Sequence, residues 1–519
     1  MRTVNRSVVL YLSLSIGVVP CLLRAGEAPT KKRGPLITVS KETTRITSPL
    51  REDGYVDYVA ALNEMCSAGV TPENNAIVPL WRAMGPGDIS EKIREDYFRQ
   101  LGIPPLTEEG DYFVSFEDYL RGQGIEESED TNRQWERSRQ GPWSGKDCPA
   151  AAGWLKANEK PLRQIVEASR RTRYYSPLIA TDDDVAPLVS VMLPACSEMR
   201  CAARALTARA MLYMGQGKTD RARQDLLACH RLGRLSGQGP TLIDALIGIA
   251  IDSVACQGDT AVVQSGELTA NQAKKYRAEL LRLAPSSRMV DKIDTGERFM
   301  FLDSVAGIAR EGPMALQQLA GGGSGEPVIA EKLLKWATRR AIDWDEVLRM
   351  GNSYYDRMVE GGRKPTRAER NVASDELLAE VKKLAAALKD PKSIAMTLLS
   401  GKSPRQIATQ QMGGLFIALL LPAVDAAIDA EYRGTMRMEV TQLAFALAGY
   451  RADHDGYPAK LQQLVPKYAE TLPKDAFSDG PLQYKHSDTG YLLYSIGRNG
   501  EDEGGRNRHQ DPEAEDDPD

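Results

Sequence analysis

The run Gly414-Leu-Phe-Ile-Ala-Leu-Leu-Leu-Pro422-Ala-Val-Asp-Ala-Ala-Ile428 is strongly apolar, and its helical pattern continues through Glu439-Val-Thr-Gln-Leu-Ala-Phe-Ala-Leu-Ala-Gly-Tyr450. The two stretches read as one helix from Arg405 to Tyr450. Pro422 lies inside it, removes one backbone donor and is expected to kink it. Leu415 to Val424 is shorter than the ~20 residues a membrane-spanning helix needs, so the run is expected to be buried against protein. An exit loop, Arg451-Ala-Asp-His-Asp-Gly-Tyr-Pro458, leads to two strand patterns, Leu482 to His486 and Tyr491 to Ile496, around the turn sequence Ser487-Asp-Thr-Gly490. The end of the chain is thus predicted to be a long helix carrying a small antiparallel hairpin, followed by an acidic tail.

The remainder is also helical in character. Ala, Leu, Arg and Glu are plentiful while aromatic content is only 6%, which favours helices over sandwiches or barrels. A chain of 519 residues exceeds what one hydrophobic core organises, so two or three domains are expected. The net charge of -5 argues against a general nucleic-acid binder, which shows a basic face.

At the N-terminus Arg2 and Arg6 precede an uncharged, mostly apolar run from Val8 to Leu23, and Gly26 and Ala28 are small residues suited to cleavage after Ala28. Residues 1–28 read as a signal peptide, which makes the protein exported, periplasmic or secreted. An uncleaved segment is the rival reading and would associate the protein with the membrane. Removing the signal takes away Cys21 and leaves Cys66, Cys148, Cys196, Cys201, Cys229 and Cys256. Six cysteines in an exported chain permit disulfides in fifteen pairings; Cys196 and Cys201 are nearest in sequence. Buried free thiols on helices are the equally weighted alternative. No CxxC pair is present, so there is no structural zinc signal.

Residues 29–50 are basic, Pro-containing and Thr/Ser-rich without apolar period, and read as a linker. A helical domain is expected over 51–320. Tyr55, Tyr58, Val59 and Leu62 open it with a helical stripe, and the segments to about Gly145 read as short helices and loops. Ala205 to His230 reads as two helices joined at Gly215-Gln-Gly217. There Tyr213, Gly217, Ala222 and Leu226 have spacings similar to one tetratricopeptide hairpin, although a single copy makes no repeat array. Thr241 to Cys256 is apolar around most of its circumference and is expected to be a central helix. Thr269 is a predicted N-cap for the next one. Gly321 to Pro327 reads as a Gly-rich linker, 328–404 as a helical extension, 405–500 as the terminal helix-and-hairpin module, and 501–519 as the acidic tail.

Catalytic signatures are sparse. The four histidines, His230, His454, His486 and His509, have no partner at metal-ligand spacing, and neither a nucleophile elbow nor a phosphate loop is present. His230 follows Cys229, but adjacent helix positions point about 100° apart, so the two do not form a couple and His230 reads as structural. Asp244, Asp252 and Cys256 share a stripe with Gly248 at steps of four. The carboxylates are candidates for an acid–base pair with His230, or for ion pairs to Arg231 and Arg234 on the preceding helix. Asp291 to Arg298 reads as a helix surface or a salt-bridge knot.

Several pieces of the C-terminal part resemble a known family. Ile417 to Val424 is similar to the middle of a prepilin helix, and Gln442 to Tyr450 with His454, Gly456, Tyr457 and Pro458 to its end and exit. Leu472-Pro-Lys-Asp475-Ala-Phe and Tyr494-Ser-Ile-Gly-Arg-Asn-Gly500 are similar to the loop and last strand of bacterial type IV pilin-like proteins, above all the major pseudopilin of type II secretion. The resemblance implies a mainly α fold: a helical N-terminal region with one tetratricopeptide-like hairpin, then a pilin-like long helix with a small antiparallel β-sheet. It also implies a possible calcium site in the loop after the last strand, where Asn499, Asp502, Glu503 and Asp511 would be the oxygen ligands; a solvated acidic tail is the alternative. The expected function is that of an exported, noncatalytic scaffold, binding or assembly protein of the cell envelope, with protein partners there. A pseudopilin-like secretion component and an enzyme with its site around Asp244, Asp252 and His230 are the alternatives.

Overall fold

The computed structural model describes residues 35–180, 188, 191, 193–311, 341–390, 392–393 and 401–505. Residues 1–28, read as an export signal, the Gly-rich segment 321–327, His509 and Asp511 lie outside the described residues. The protein is mainly helical with one small two-stranded antiparallel sheet.

The first half holds α1 (Tyr58–Ser67), α2 (Ile77–Met84), α3 (Glu91–Gln100), α4 (Phe116–Gly122), α5 (Glu129–Gln140), α6 (Pro149–Ala157) and α7 (Glu159–Ala168). Next come the longer α8 (Pro194–Gly215), α9 (Thr219–Ser236), α10 (Leu242–Gln264) and α11 (Ala270–Leu281). Then follow α12 (Met289–Lys292), a π turn over Ile293–Glu297, α13 (Arg298–Glu311), α14 (Trp344–Gly362), α15 (Arg367–Lys389) and α16 (Pro404–His454). Strands β1 (Gln483–Ser487) and β2 (Gly490–Tyr494) are the last of these elements.

Helix starts follow local chemistry. Thr241, Thr269, Thr366 and Ser403 each close a capping box with the residue three further on, satisfying amides that the helix leaves unpaired. Ser128 does the same with Thr131, so the charge run Glu126 to Asp130 leads directly into α5. Helices α8 and α9 form the expected hairpin; Gly217, at φ 70°, supplies the left-handed turn residue.

Three apolar cores result. The first joins α2, α3 and α6 to α11 around Trp81, Trp154, Met199, Leu206 and Leu226. The second joins α1, α12 to α15 and the first half of α16 around Phe301, Leu302, Tyr355 and Ile417. The third lies between the second half of α16 and the terminal loop and sheet, around Leu443, Leu447 and Leu464. Helix α16 enters all three, because Phe445 and Ala448 point back into the first.

Core membership redraws the sequence-based divisions. Residues 35–50, read as a linker, are fixed to the body: Ile37 is buried, Tyr58 donates its hydroxyl to the Thr44 carbonyl at 2.9 Å, and Asn352 Nδ2 donates to the Thr43 carbonyl at 2.9 Å. The expected boundary between 51–320 and 328–404 is not a core boundary, since α13 and α14 share the second core. Helix α16 runs unbroken through Pro422. The hairpin register pairs Ser487 with Gly490 and Gln483 with Tyr494. Strand β2 stops two residues before the predicted end because Ser495 and Ile496 turn to Asp475. Its carboxylate accepts from Ser495 Oγ at 2.8 Å and from the Ile496 amide at 3.0 Å. The Asp291–Arg298 run is a salt-bridge knot: Arg298 is fully buried and pairs with Asp294 at 3.1 Å and Asp356 at 2.6 Å.

Among the described residues, α10 and α16 are long and apolar enough to cross a membrane by length and composition; the apolar window of α10 is 56% buried inside the body and that of α16 is 43% buried. Ile417, fully buried beside Phe416 in the second core, tests the packing of the α16 start. Ile417→Asp is expected to lower stability by several kcal/mol, on the order of 3–5, because a carboxylate there has no partner in that apolar cluster. A thermal melt superimposable on wild type would show that this face is not buried.

Candidate functional site

A buried cluster of titratable side chains lies where α9, α10, α11 and α16 meet. His230 is fully buried. Its Nδ1 lies 2.6 Å from Asp252 Oδ1 and its Nε2 lies 2.9 Å from Asp259 Oδ2. Asp259 also accepts a short hydrogen bond from the Tyr276 hydroxyl. Arg234 reaches Asp252 at 3.2 Å, and Arg437 of α16 adds attraction from the far side. Cys256 completes the group from α10, hydrogen-bonded to Thr441.

Two glycines permit the geometry. A Cβ on Gly248 would lie 2.5 Å from the Gly233 carbonyl, and one on Gly233 would lie 2.7 Å from the Gly248 carbonyl. Helices α9 and α10 therefore touch backbone to backbone one turn from His230, which brings the imidazole within reach of Asp252. Asp252, Cys256 and Asp259 follow one another at steps of four and three on a single face of α10.

With a carboxylate on each ring nitrogen, both nitrogens donate and the ring is an imidazolium. Burial alone would push the His230 pKa down, but Asp252 and Asp259 outweigh it and raise it from 6.5 to about 9. Burial likewise pushes the Asp252 carboxyl up, and the imidazolium and Arg234 reverse this and hold it below the usual range. The Cys256 thiol is pushed well up by burial and by the two carboxylates, so it remains protonated.

The sequence-derived candidates separate in space. His230 and Asp252 are brought together, with Arg234 as the ion-pair partner and not Arg231. Asp244 is elsewhere, eight residues up α10. It caps that helix, accepting from the Thr241 amide at 3.1 Å and the Thr241 hydroxyl at 2.7 Å. Sequence reasoning missed Asp259 and Tyr276; continuing the Asp252–Cys256 stripe by one further step of three reaches Asp259, whereas Tyr276 carries no local signal. His454 is exposed and stacks on Tyr450 at 4.2 Å, and His486 is exposed on β1. Cys66, Cys148, Cys196, Cys201, Cys229 and Cys256 are all free thiols, and Cys196 and Cys201 lie on the same helix, α8.

Ligand atoms of His230, Asp252 and Cys256 lie within 4.8 Å of one another, the spacing of a metal centre. The hydrogen bonds among them make an ion chain: both imidazole nitrogens are engaged by carboxylates, and Arg234 and Arg437 already supply positive charge. In the C-terminal loop, Asp502 Oδ1 accepts from the Tyr494 hydroxyl at 2.8 Å and the Gly504 amide at 2.9 Å, and Asn499 Oδ1 accepts from the Glu501 amide at 3.0 Å. Glu503 follows Asp502 in the same loop.

No protein-family model matches the chain, and neither a curated protein nor a solved structure is found to be similar to it. The pilin-like resemblance therefore rests on the residues quoted for it.

The ion chain has a pH signature. A pKa raised from 6.5 to about 9 contributes stability that is fully present below pH 6.5 and lost as pH rises through about 9. His230→Gln is expected to destabilise the protein by about 3–5 kcal/mol at pH 7, since it removes the cation that both carboxylates share and leaves buried Asp259 with only the Tyr276 hydroxyl. The gap in denaturation midpoint between variant and wild type should shrink from pH 7 to pH 10. A gap independent of pH would show that His230 is neutral in the folded protein.

Proposed function

We propose that the protein is an exported, noncatalytic scaffold of the cell envelope that carries its pilin-like module as a fixed docking element. The observation that carries this reading is the position of α16. Its first half is buried between α14 and α15, its second half packs on α10 and α11, and the remaining side is covered by the terminal loop and sheet. Both halves of the helix are thus engaged by the chain's own elements, which argues against bundling with copies along its length and leaves the hairpin and exit loop as the module's docking parts. The noncatalytic part of the reading is supported by the state of the central polar cluster, whose histidine and Asp259 are fully buried and bonded to one another.

A photoreactive residue at the exposed His486 position tests the reading in intact cells. The expected product is an adduct with one or a few other envelope proteins, in the cell fraction that contains periplasmic markers. A ladder at whole multiples of the chain's own mass would instead indicate filament assembly, and recovery in the cytoplasmic fraction would remove the export reading.

The same resemblance proposes calcium in the loop after β2, with Asn499, Asp502 and Glu503, and Asp511 beyond the described residues, as its oxygens. Ion binding to the folded state raises its stability with ion concentration. Millimolar calcium is expected to raise the melting temperature of the full chain, and Asp502→Ala to abolish that rise. No shift with calcium would leave these residues as a solvated acidic turn.

A further inference from the structure

A cleft of about 670 Å³ opens at the junction of α12, α14, α15 and α16 and is closed on one side by Ala476, Asp479 and Arg498 of the C-terminal part. That volume falls in the range of about 300–1,000 Å³ typical of small-molecule sites. None of the residues singled out from the sequence for chemistry lies in it. Its lining has two characters. Leu377, Val381, Val424 and Ile428 make an apolar wall, and seven cations, Arg367, Arg370 and Arg498 among them, outnumber five carboxylates in the rest of the lining.

The cations are not equally occupied. Arg498 pairs with Asp425 at 3.0 Å and more closely with Asp429, so these two acids are already engaged. Glu431 accepts from the Met289 amide at 2.7 Å. Arg370 donates only to neutral oxygens in this network: the Tyr432 hydroxyl at 2.6 Å and the carbonyls of Lys364 and Pro365 at 2.8 and 3.1 Å. Arg367 is the unusual member. It is 4% exposed, its guanidinium sits 3.3 Å from the centre of the Tyr432 ring and 5.4 Å from that of Phe477, and its buried Nε has no hydrogen-bond partner among the described residues. The nearest carboxylate, Asp429, is at 3.8 Å, beyond hydrogen-bond range and shared with Arg498. A guanidinium on the cleft lining that is held by aromatic rings, has no carboxylate within hydrogen-bond range among the described residues and has a second cation beside it is organised for an oxyanion. A bare ion would leave most of the volume and the apolar wall unfilled.

We propose that this cleft binds a small anionic amphiphile, with its phosphate or carboxylate head on Arg367 and Arg370 and its apolar body along Leu377, Val381 and Ile428. The inference is independent of the scaffold reading. Because Arg498 and Ala476 form one wall, the bound ligand would touch both the helical body and the C-terminal module.

Titration calorimetry on the full chain tests it with four probes: dodecyl phosphate below its micelle concentration, decanoate, inorganic phosphate and dodecyltrimethylammonium. Dodecyl phosphate or decanoate is expected to bind, the one that binds more tightly identifying the head group. Inorganic phosphate should bind about tenfold or more weakly than the tighter of the two. The cationic amphiphile should not bind. Arg367→Met keeps the packed stem and removes the charge; Kd should rise about tenfold or more while the melting temperature holds or rises, because an incompletely paired buried cation has been removed. If Arg367→Met instead fails to fold, Arg370→Gln decides: a raised Kd supports the site and an unchanged one overturns it. Equal binding of the cationic and anionic amphiphiles, or no binding of either anion, would also overturn it.

Discussion

The structure depends on a single helix having to be buried on different faces along its length. At 51 residues, α16 is about 75 Å long at ~1.5 Å per residue, which exceeds the width of any one layer packed on it. Its first half offers Phe416, Ile417, Val424 and Ala427 to the second core. Further on, Met436, Leu443, Ala446 and Leu447 face the terminal sheet, while Phe445 and Ala448 face the first core. No single stripe runs along such a helix, so no single partner can cover it. The body, the helical extension and the C-terminal module are held together because each covers a different part of the same helix.

The second organising feature is electrostatic and sits beside α16. Three buried charges of α9 and α10, the imidazolium of His230 and the carboxylates of Asp252 and Asp259, are stable only as a set, with Arg234 and Tyr276 completing it. Removing one member leaves its neighbours desolvated and only partly paired, so the network specifies one arrangement of four helices more strongly than it adds net stability. The Gly233–Gly248 contact is the steric condition for this arrangement.

The C-terminal part is fastened by polar contacts as well as by its core. Asp475 is fully buried and gathers Ser495 and the amides of Phe477 and Ile496, which ties the loop after α16 to the end of β2. Arg498 then reaches back to Asp425 and Asp429 on α16. These bonds place the arginine-lined cleft at the seam, where charged residues from distant parts of the chain converge.

Much of the local architecture is legible in the sequence because it is set by neighbours. Capping residues such as Thr269, the Gly217 turn and the alternation around Ser487 to Gly490 act within a few residues, and they locate the α8–α9 hairpin, α11 and the β-hairpin. The length of α16 and the helical class follow from composition and period for the same reason. What only the tertiary structure decided involves residues with no local reason to meet. The α10 stripe suggests ion pairing at Asp252, yet nothing near Tyr276 marks it as the partner of Asp259, and Asp244 looks like the equal of Asp252 until its capping role is seen. Residues 35–50 read as a linker because their contacts, to Asn352 and Tyr58, lie across the chain. The cleft around Arg367 is assembled from four helices and the C-terminal part, whose arginines each look like ordinary surface charge. Periodicity and capping are properties of a short stretch of chain, whereas burial of a charge depends on which helix is folded against it, and that was decided by the faces of α16.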